Sequence, residues 1–158
     1  MKNKKILFSI IFILLVVVIL LGVMFWLTNQ KLKNNSSIYC VMEDNLKENR
    51  MEIYYDFKDG QVYRYSIVNT NKLTENINIE AYKEMILNSN NKYKGFTGKF
   101  WTDNNVYMTT EIYDLDLLSE NEFKELTGIS LKELKTKTRQ EIIDSIIPMG
   151  DIGNFKCN

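Results

Sequence analysis

Residues 50–68 read RMEIYYDFKDGQVYRYSIV, two runs of alternating apolar and polar residues on either side of Asp59-Gly60. Asp-Gly supplies the positive φ angles of a two-residue type I′ turn, whose twist matches that of paired strands, so the stretch predicts a β-hairpin. With Asp59 and Gly60 as the turn residues, Phe57 falls opposite Val62, Tyr55 opposite Arg64, Ile53 opposite Ser66 and Met51 opposite Val68. Successive side chains point to opposite sides of a strand, so one face of the hairpin carries Met51, Ile53, Tyr55, Phe57, Val62 and Val68. The other carries Glu52, Tyr54, Asp56, Tyr63, Tyr65 and Ile67. Its two carboxylates make it the wetter face, because burying a carboxylate without a partner costs several kcal/mol.

Working outward, Ile38-Tyr39-Cys40-Val41-Met42 is a short β-prone run and predicts a strand ahead of the hairpin. Beyond the hairpin, Asn76 or Asn78 can cap a helix whose apolar residues Ile79, Tyr82 and Ile86 recur at helical spacing up to the polar run at residues 88–91. A second hairpin follows around Asp103-Asn104-Asn105, with Phe96, Phe100 and Trp101 on one arm and Val106, Met108 and Ile112 on the other. Ser119 with Glu122 and Ser130 with Glu133 have capping-box spacing, and Gly128 sits where a helix ends. A last helical piece runs through Ile142, Ile143 and Ile146 to Pro148. Gly150 and Gly153 then turn the chain into a closing strand, Asn154-Phe155-Lys156-Cys157. The pattern predicts an α+β domain over residues 36–158, with a mainly antiparallel sheet of two hairpins plus terminal strands packed with short helices.

Residues 6–27, ILFSIIFILLVVVILLGVMFWL, contain no charge. As one helix they would rise about 33 Å, against roughly 30 Å of bilayer hydrocarbon, so the expectation is a transmembrane signal anchor. No A-x-A cleavage pattern follows the run, and no cysteine stands directly after it. The implied organisation is a cytoplasmic tail (1–5), a single membrane pass (6–27), a linker (28–35) and an extracytoplasmic domain (36–158). Cys40 and Cys157 lie at opposite ends of that domain. In an oxidising compartment such a pair reads as a disulfide, two buried free thiols being the alternative.

The net charge of zero hides an asymmetry: residues 1–35 hold five lysines and no acid, leaving 15 basic and 20 acidic residues in 36–158. A domain of net negative charge lacks the basic surface that nucleic acid requires, so no nucleic-acid partner is expected. Only Arg50, Arg64 and Arg139 are arginine and asparagine is abundant, a bias of AT-rich bacterial genomes. The chain has no histidine, which removes Ser-His and Cys-His nucleophiles, most zinc sites and the usual general base near neutral pH. Neither a metal site nor a cofactor is implied. Asp114 and Asp116 are the one pair of acids placed like paired catalytic carboxylates, and a solvated strand end leading into a capped helix accounts for them as well.

The strand Ile38-Tyr39-Cys40, the tyrosine-rich hairpin with its Asp59-Gly60 turn and the closing Asn154-Phe155-Lys156-Cys157 together resemble the YehR-like group of small bacterial exported lipoproteins. The resemblance covers nearly all of residues 36–158 and departs from the group in lacking a lipidation cysteine. It implies an α+β extracytoplasmic domain and brings no catalytic residues with it.

What remains is the tyrosine face of the first hairpin: Tyr54, Tyr63 and Tyr65 with Glu52 and Asp56. Tyrosine joins a broad apolar ring to a polar tip and recurs at recognition surfaces, although it also stabilises sheets through cross-strand pairs. The expectation is therefore a non-enzymatic interaction module, holding an envelope protein, a peptide or a polymer through these five residues. The alternative is a histidine-free, carboxylate-dependent cell-wall hydrolase.

Overall fold

The computed structural model describes residues 16–27, 36–44, 46, 48–73, 78–146 and 155–158. The chain divides into two compact units, Met1–Asn35 and Ser36–Asn158. In the first, residues 16–27 are helical. Twelve helical residues rise about 18 Å, well short of a bilayer's roughly 30 Å, and among the described residues no helix is long and apolar enough to cross a membrane. This corrects the expected transmembrane helix; residues 6–15 of that stretch and the linker 28–35 lie outside the described residues.

The second unit is built on one six-stranded sheet: β1 (Ile38–Glu43), β2 (Asn49–Lys58), β3 (Gln61–Lys72), β4 (Phe96–Asp103), β5 (Val106–Asp114) and β6 (Lys156–Cys157). The order across the sheet is β4-β5-β3-β2-β1-β6, with every pair antiparallel. Both expected hairpins are present, turning at Asp59-Gly60 (φ 53° and 84°) and at Asn104 (φ 52°). They join edge to edge through β3 and β5, which pair from Arg64–Asp114 to Lys72–Val106.

The first hairpin departs from its simplest register. Phe57 faces Val62, but Asp56 faces Arg64, so Tyr63 is the extra residue of a β-bulge. Beyond it Tyr55 pairs with Tyr65, Tyr54 with Ser66, Ile53 with Ile67 and Glu52 with Val68. The expected pairs Tyr55-Arg64, Ile53-Ser66 and Met51-Val68 are thereby corrected. One added residue flips every later side chain of β3, which exchanges Tyr65 and Ile67 for Arg64, Ser66 and Val68 between the two faces.

Four helices follow their caps: α1 (Ile79–Lys92), α2 (Glu120–Thr127), α3 (Leu131–Thr136) and α4 (Arg139–Ile146). Asn78 Oδ1 accepts from the Ala81 amide at 3.1 Å. Ser119 and Glu122 form the full reciprocal box, Ser130 its serine half, and Gly128 ends α2 at φ 73°. Pro148, Gly150 and Gly153 lie outside the described residues. Phe123, Leu131, Leu134, Ile142 and Ile146 pack on Ile38, Ile53, Tyr55, Phe57, Val62, Tyr65 and Tyr113 of the sheet, forming one core on one side of it. Arg139 of α4 draws the two ends of the domain together, Nη1 donating to the Ser36 and Ser37 carbonyls at 2.9 and 3.1 Å and Nη2 to the Asn158 carbonyl at 3.1 Å. Beside it, β1 and β6 carry the Cys40–Cys157 disulfide, the two Cα atoms 4.1 Å apart.

Candidate binding face

The sheet has two unlike faces. One is the core just described. Among the described residues no buried helix side chain lies against the other, which is lined by the alternate residues of five strands. Register puts these residues in rows running across the sheet. One row is Tyr39, Tyr54, Ser66, Ile112 and Thr97; the next is Val41, Glu52, Val68, Thr110 and Lys99; the third is Glu43, Arg50, Thr70, Met108 and Trp101.

At the β1–β2 end of these rows a connected cluster forms. The Tyr39 and Tyr54 rings are 5.0 Å apart. Arg50 donates through Nη1 to Glu43 at 2.7 Å, through Nε to Glu52 at 2.7 Å and through Nη2 to the Tyr39 hydroxyl at 3.0 Å. The other oxygen of Glu52 accepts from the Tyr54 hydroxyl at 2.5 Å. That hydrogen bond to a carboxylate, with burial second, pushes the Tyr54 phenol up to about 12. Hydrogen bonds to Tyr39 and Glu52 likewise raise Arg50, so the guanidinium stays charged. Pairing fixes two flat rings and a planar cation in one orientation before any partner arrives, which lowers the side-chain entropy lost on binding.

A second group sits at the bulge. Asp56 accepts from the Ser37 hydroxyl at 2.5 Å and lies 4.0 Å from Arg64, whose guanidinium is 5.3 Å from the centre of the Tyr63 ring. The bulge therefore brings Arg64, rather than Tyr63, opposite Asp56. At the far end of the sheet Trp101 is 40% exposed.

Of the five residues singled out in the sequence, Glu52, Tyr54, Asp56 and Tyr63 are half-buried, and the structure brings Glu52 and Tyr54 into direct contact. Tyr65 is not with them. It is 4% exposed in the core, its ring 5.0 Å from Tyr55 and 5.5 Å from Tyr113. Its place beside Tyr54 is taken by Tyr39 and Arg50, both missed in the sequence. The alternation within β1, with Ile38 and Cys40 inward and Tyr39 and Val41 outward, carries the signal for Tyr39; it becomes readable only once β1 is known to pair with β2.

Asp114 and Asp116 do not form a facing pair of free carboxylates. Asp114 Oδ1 accepts from the Asp116 amide at 3.1 Å, and Asp116 pairs with Lys135 at 3.0 Å. Among the described residues no three acids, cysteines or histidines gather as a metal site would require.

No family model matches the chain, and no curated protein matches it. Among solved structures, the NMR structure of a protein from Streptococcus pneumoniae TIGR4 is similar over 73% of this chain and 84% of that one, with a TM-score of 0.53 and 14% sequence identity. The NMR structure of the Escherichia coli YehR protein is similar over 67% of this chain and 96% of that one, with a TM-score of 0.47 and 12% identity. The likeness to the pneumococcal protein is one of fold alone, and it says nothing of lipoprotein processing.

Proposed function

We propose that residues 36–158 form a binding module of an oxidising, extracytoplasmic compartment, and that the helix-free face of the sheet holds a folded protein partner. The observation that carries this reading is the Tyr39–Tyr54 pair locked to Arg50 and Glu52 on that face. Tyrosine, tryptophan, arginine and methionine are the residues enriched at protein interfaces, and Tyr39, Tyr54, Arg50, Met108 and Trp101 occupy this one surface. Apolar Val41, Val68 and Ile112 stand among the polar groups of the face. Strand addition is a poor alternative at the β4 edge, where Asn90 occupies both hydrogen-bonding groups of Gly98. The disulfide supports the compartment, since such bridges persist outside reducing cytosol.

Three rows across five strands cover roughly 500 Å², below the roughly 800 Å² per partner of a standard interface, so the complex should be a weak or transient one. The test is a photo-crosslinking residue placed in native cells at Ser66 or Thr110 on this face and, as a control, at Lys124 on α2. A single adduct of defined mass from the first two positions, absent at the third and lost with Tyr39→Ala plus Tyr54→Ala, is the expected result. Adducts that are the same from all three positions, or that survive the double substitution in a folded protein, would exclude the face as the binding site.

A further inference from the structure

On the opposite side of the sheet from this face, a cavity of about 180 Å³ opens between α1, α2 and strands β4 and β5. Its walls are mostly apolar, from Met85, Ile86, Tyr93, Phe96, Tyr113 and Leu126, and Glu111 enters it from the sheet. Glu111 belongs there by register, since it stands between Ile67 and Gly98 in a row of the core face. A carboxylate in such a position needs compensation. Two phenols provide it: Tyr82 donates to Oε1 at 3.1 Å and Tyr113 donates to Oε2. Burial, with the nearby Glu111 charge second, pushes the Tyr82 phenol up to about 12 and the Tyr113 phenol higher, so both remain donors across the physiological range.

Two phenols do not exhaust Glu111. A carboxylate accepts at about four positions, and no lysine or arginine forms an ion pair with this one among the described residues. The rim of the cavity already shows what its walls attract. Lys92 at the end of α1 holds its ammonium 4.6 Å from the centre of the Tyr93 ring while pairing with Glu125 of α2 at 2.7 Å. Aromatic rings around a carboxylate are the surroundings in which an organic cation is favoured over water, through charge pairing and cation–π attraction together.

We propose that this cavity binds a small organic cation, an ammonium group on a short apolar arm, with the charge at Glu111 and the arm against Phe96, Ile86 and Leu126. Size supports the class: drug-sized ligands occupy roughly 300–1,000 Å³, while a cavity of about 150 Å³ takes a molecule the size of benzene. Glu125 of α2 also lines the cavity, and its exposed ion pair with Lys92 links α2 to α1 beside it.

The experiment is an NMR titration of the full chain with n-butylammonium, with n-butanol as the neutral probe of matching shape and potassium chloride as the inorganic cation. Saturable shifts at the amides of Phe96, Gly98 and Leu126 are expected, with n-butylammonium at least tenfold tighter than n-butanol. Glu111→Gln should weaken n-butylammonium at least tenfold while leaving the resonances of β1 in place. Leu126→Trp, which fills the cavity and keeps the carboxylate, should abolish the shifts, and it decides the matter if Glu111→Gln fails to fold. Equal affinity for n-butanol, unchanged binding by the folded Glu111→Gln protein or by the filled cavity, absence of saturable shifts, or potassium alone producing them would each overturn the proposal.

Discussion

Tyr63 is the residue on which the two faces of the sheet turn. As the extra residue of the bulge it sends Tyr65 into the core, onto Tyr113 and Phe123, and leaves Arg64 outside above Asp56. The nine tyrosines thereby divide by environment. The phenols of Tyr54, Tyr55 and Tyr82 are each pushed up to about 12, the first by its hydrogen bond to Glu52 and the other two by burial, and burial pushes Tyr65 and Tyr113 higher still. An unfolded chain releases a tyrosine proton near pH 10. Between about pH 10 and 12 the native state therefore binds more protons than the unfolded one. The stability that these five phenols contribute is present in full below about pH 10 and is lost as pH rises through their native values. Ultraviolet titration should show five tyrosines ionising late and together with the loss of tertiary structure. Ionisation of all nine near pH 10 with the fold intact would contradict these environments.

At the scale of elements, the long margin of the sheet at β4 is guarded by a side chain from α1. Asn90 accepts from the Gly98 amide at 2.6 Å and donates to the Gly98 carbonyl at 2.9 Å, the two bonds another strand would make. The helix comes close enough because residue 98 is glycine, where a Cβ would meet Ile86 Cγ2 at 2.6 Å. Asn90→Ala leaves two half-buried backbone groups unpaired and should cost about 1–3 kcal/mol. The same change uncovers the edge, so thermal melting should fall while light scattering at equal concentration rises. An unchanged melting temperature with no self-association would show that Asn90 neither stabilises nor protects β4.

Across the whole molecule the ends of the domain are stapled together. Cys40 and Cys157 are 117 residues apart in sequence and adjacent in the sheet. Closing a loop of that length restricts the unfolded chain far more than the folded one, and removing a native bridge typically costs about 2–5 kcal/mol. Cys40→Ser with Cys157→Ser should lower the unfolding free energy by that amount and the urea midpoint in proportion, under oxidising conditions. Arg139 and the β1–β6 pairing should still hold the ends in register, so the variant ought to remain folded at low temperature. Equal midpoints for the variant and the oxidised parent would mean that the bridge contributes nothing.

What local chemistry decides was legible in the residues alone. Asp59-Gly60 imposes a turn because few other pairs accept its φ angles, Ser119 with Glu122 starts a helix because they satisfy each other's amides, and the alternation of β2 separates Ile53 and Phe57 from Glu52 and Tyr54. Those features were enough for two hairpins, short helices and an α+β class. The extent of helix at residues 16–27 and the bulge at Tyr63 were settled only in three dimensions. The turn dictates register for a residue or two; beyond it, Tyr65 goes where Tyr113 and Phe123, 48 and 58 residues further along the chain, offer rings to pack against. Glu111 is the same case. Its position in the strand reads as one polar residue among several, and it acquires meaning only when α1 brings Tyr82 to it and α2 closes the cavity around it.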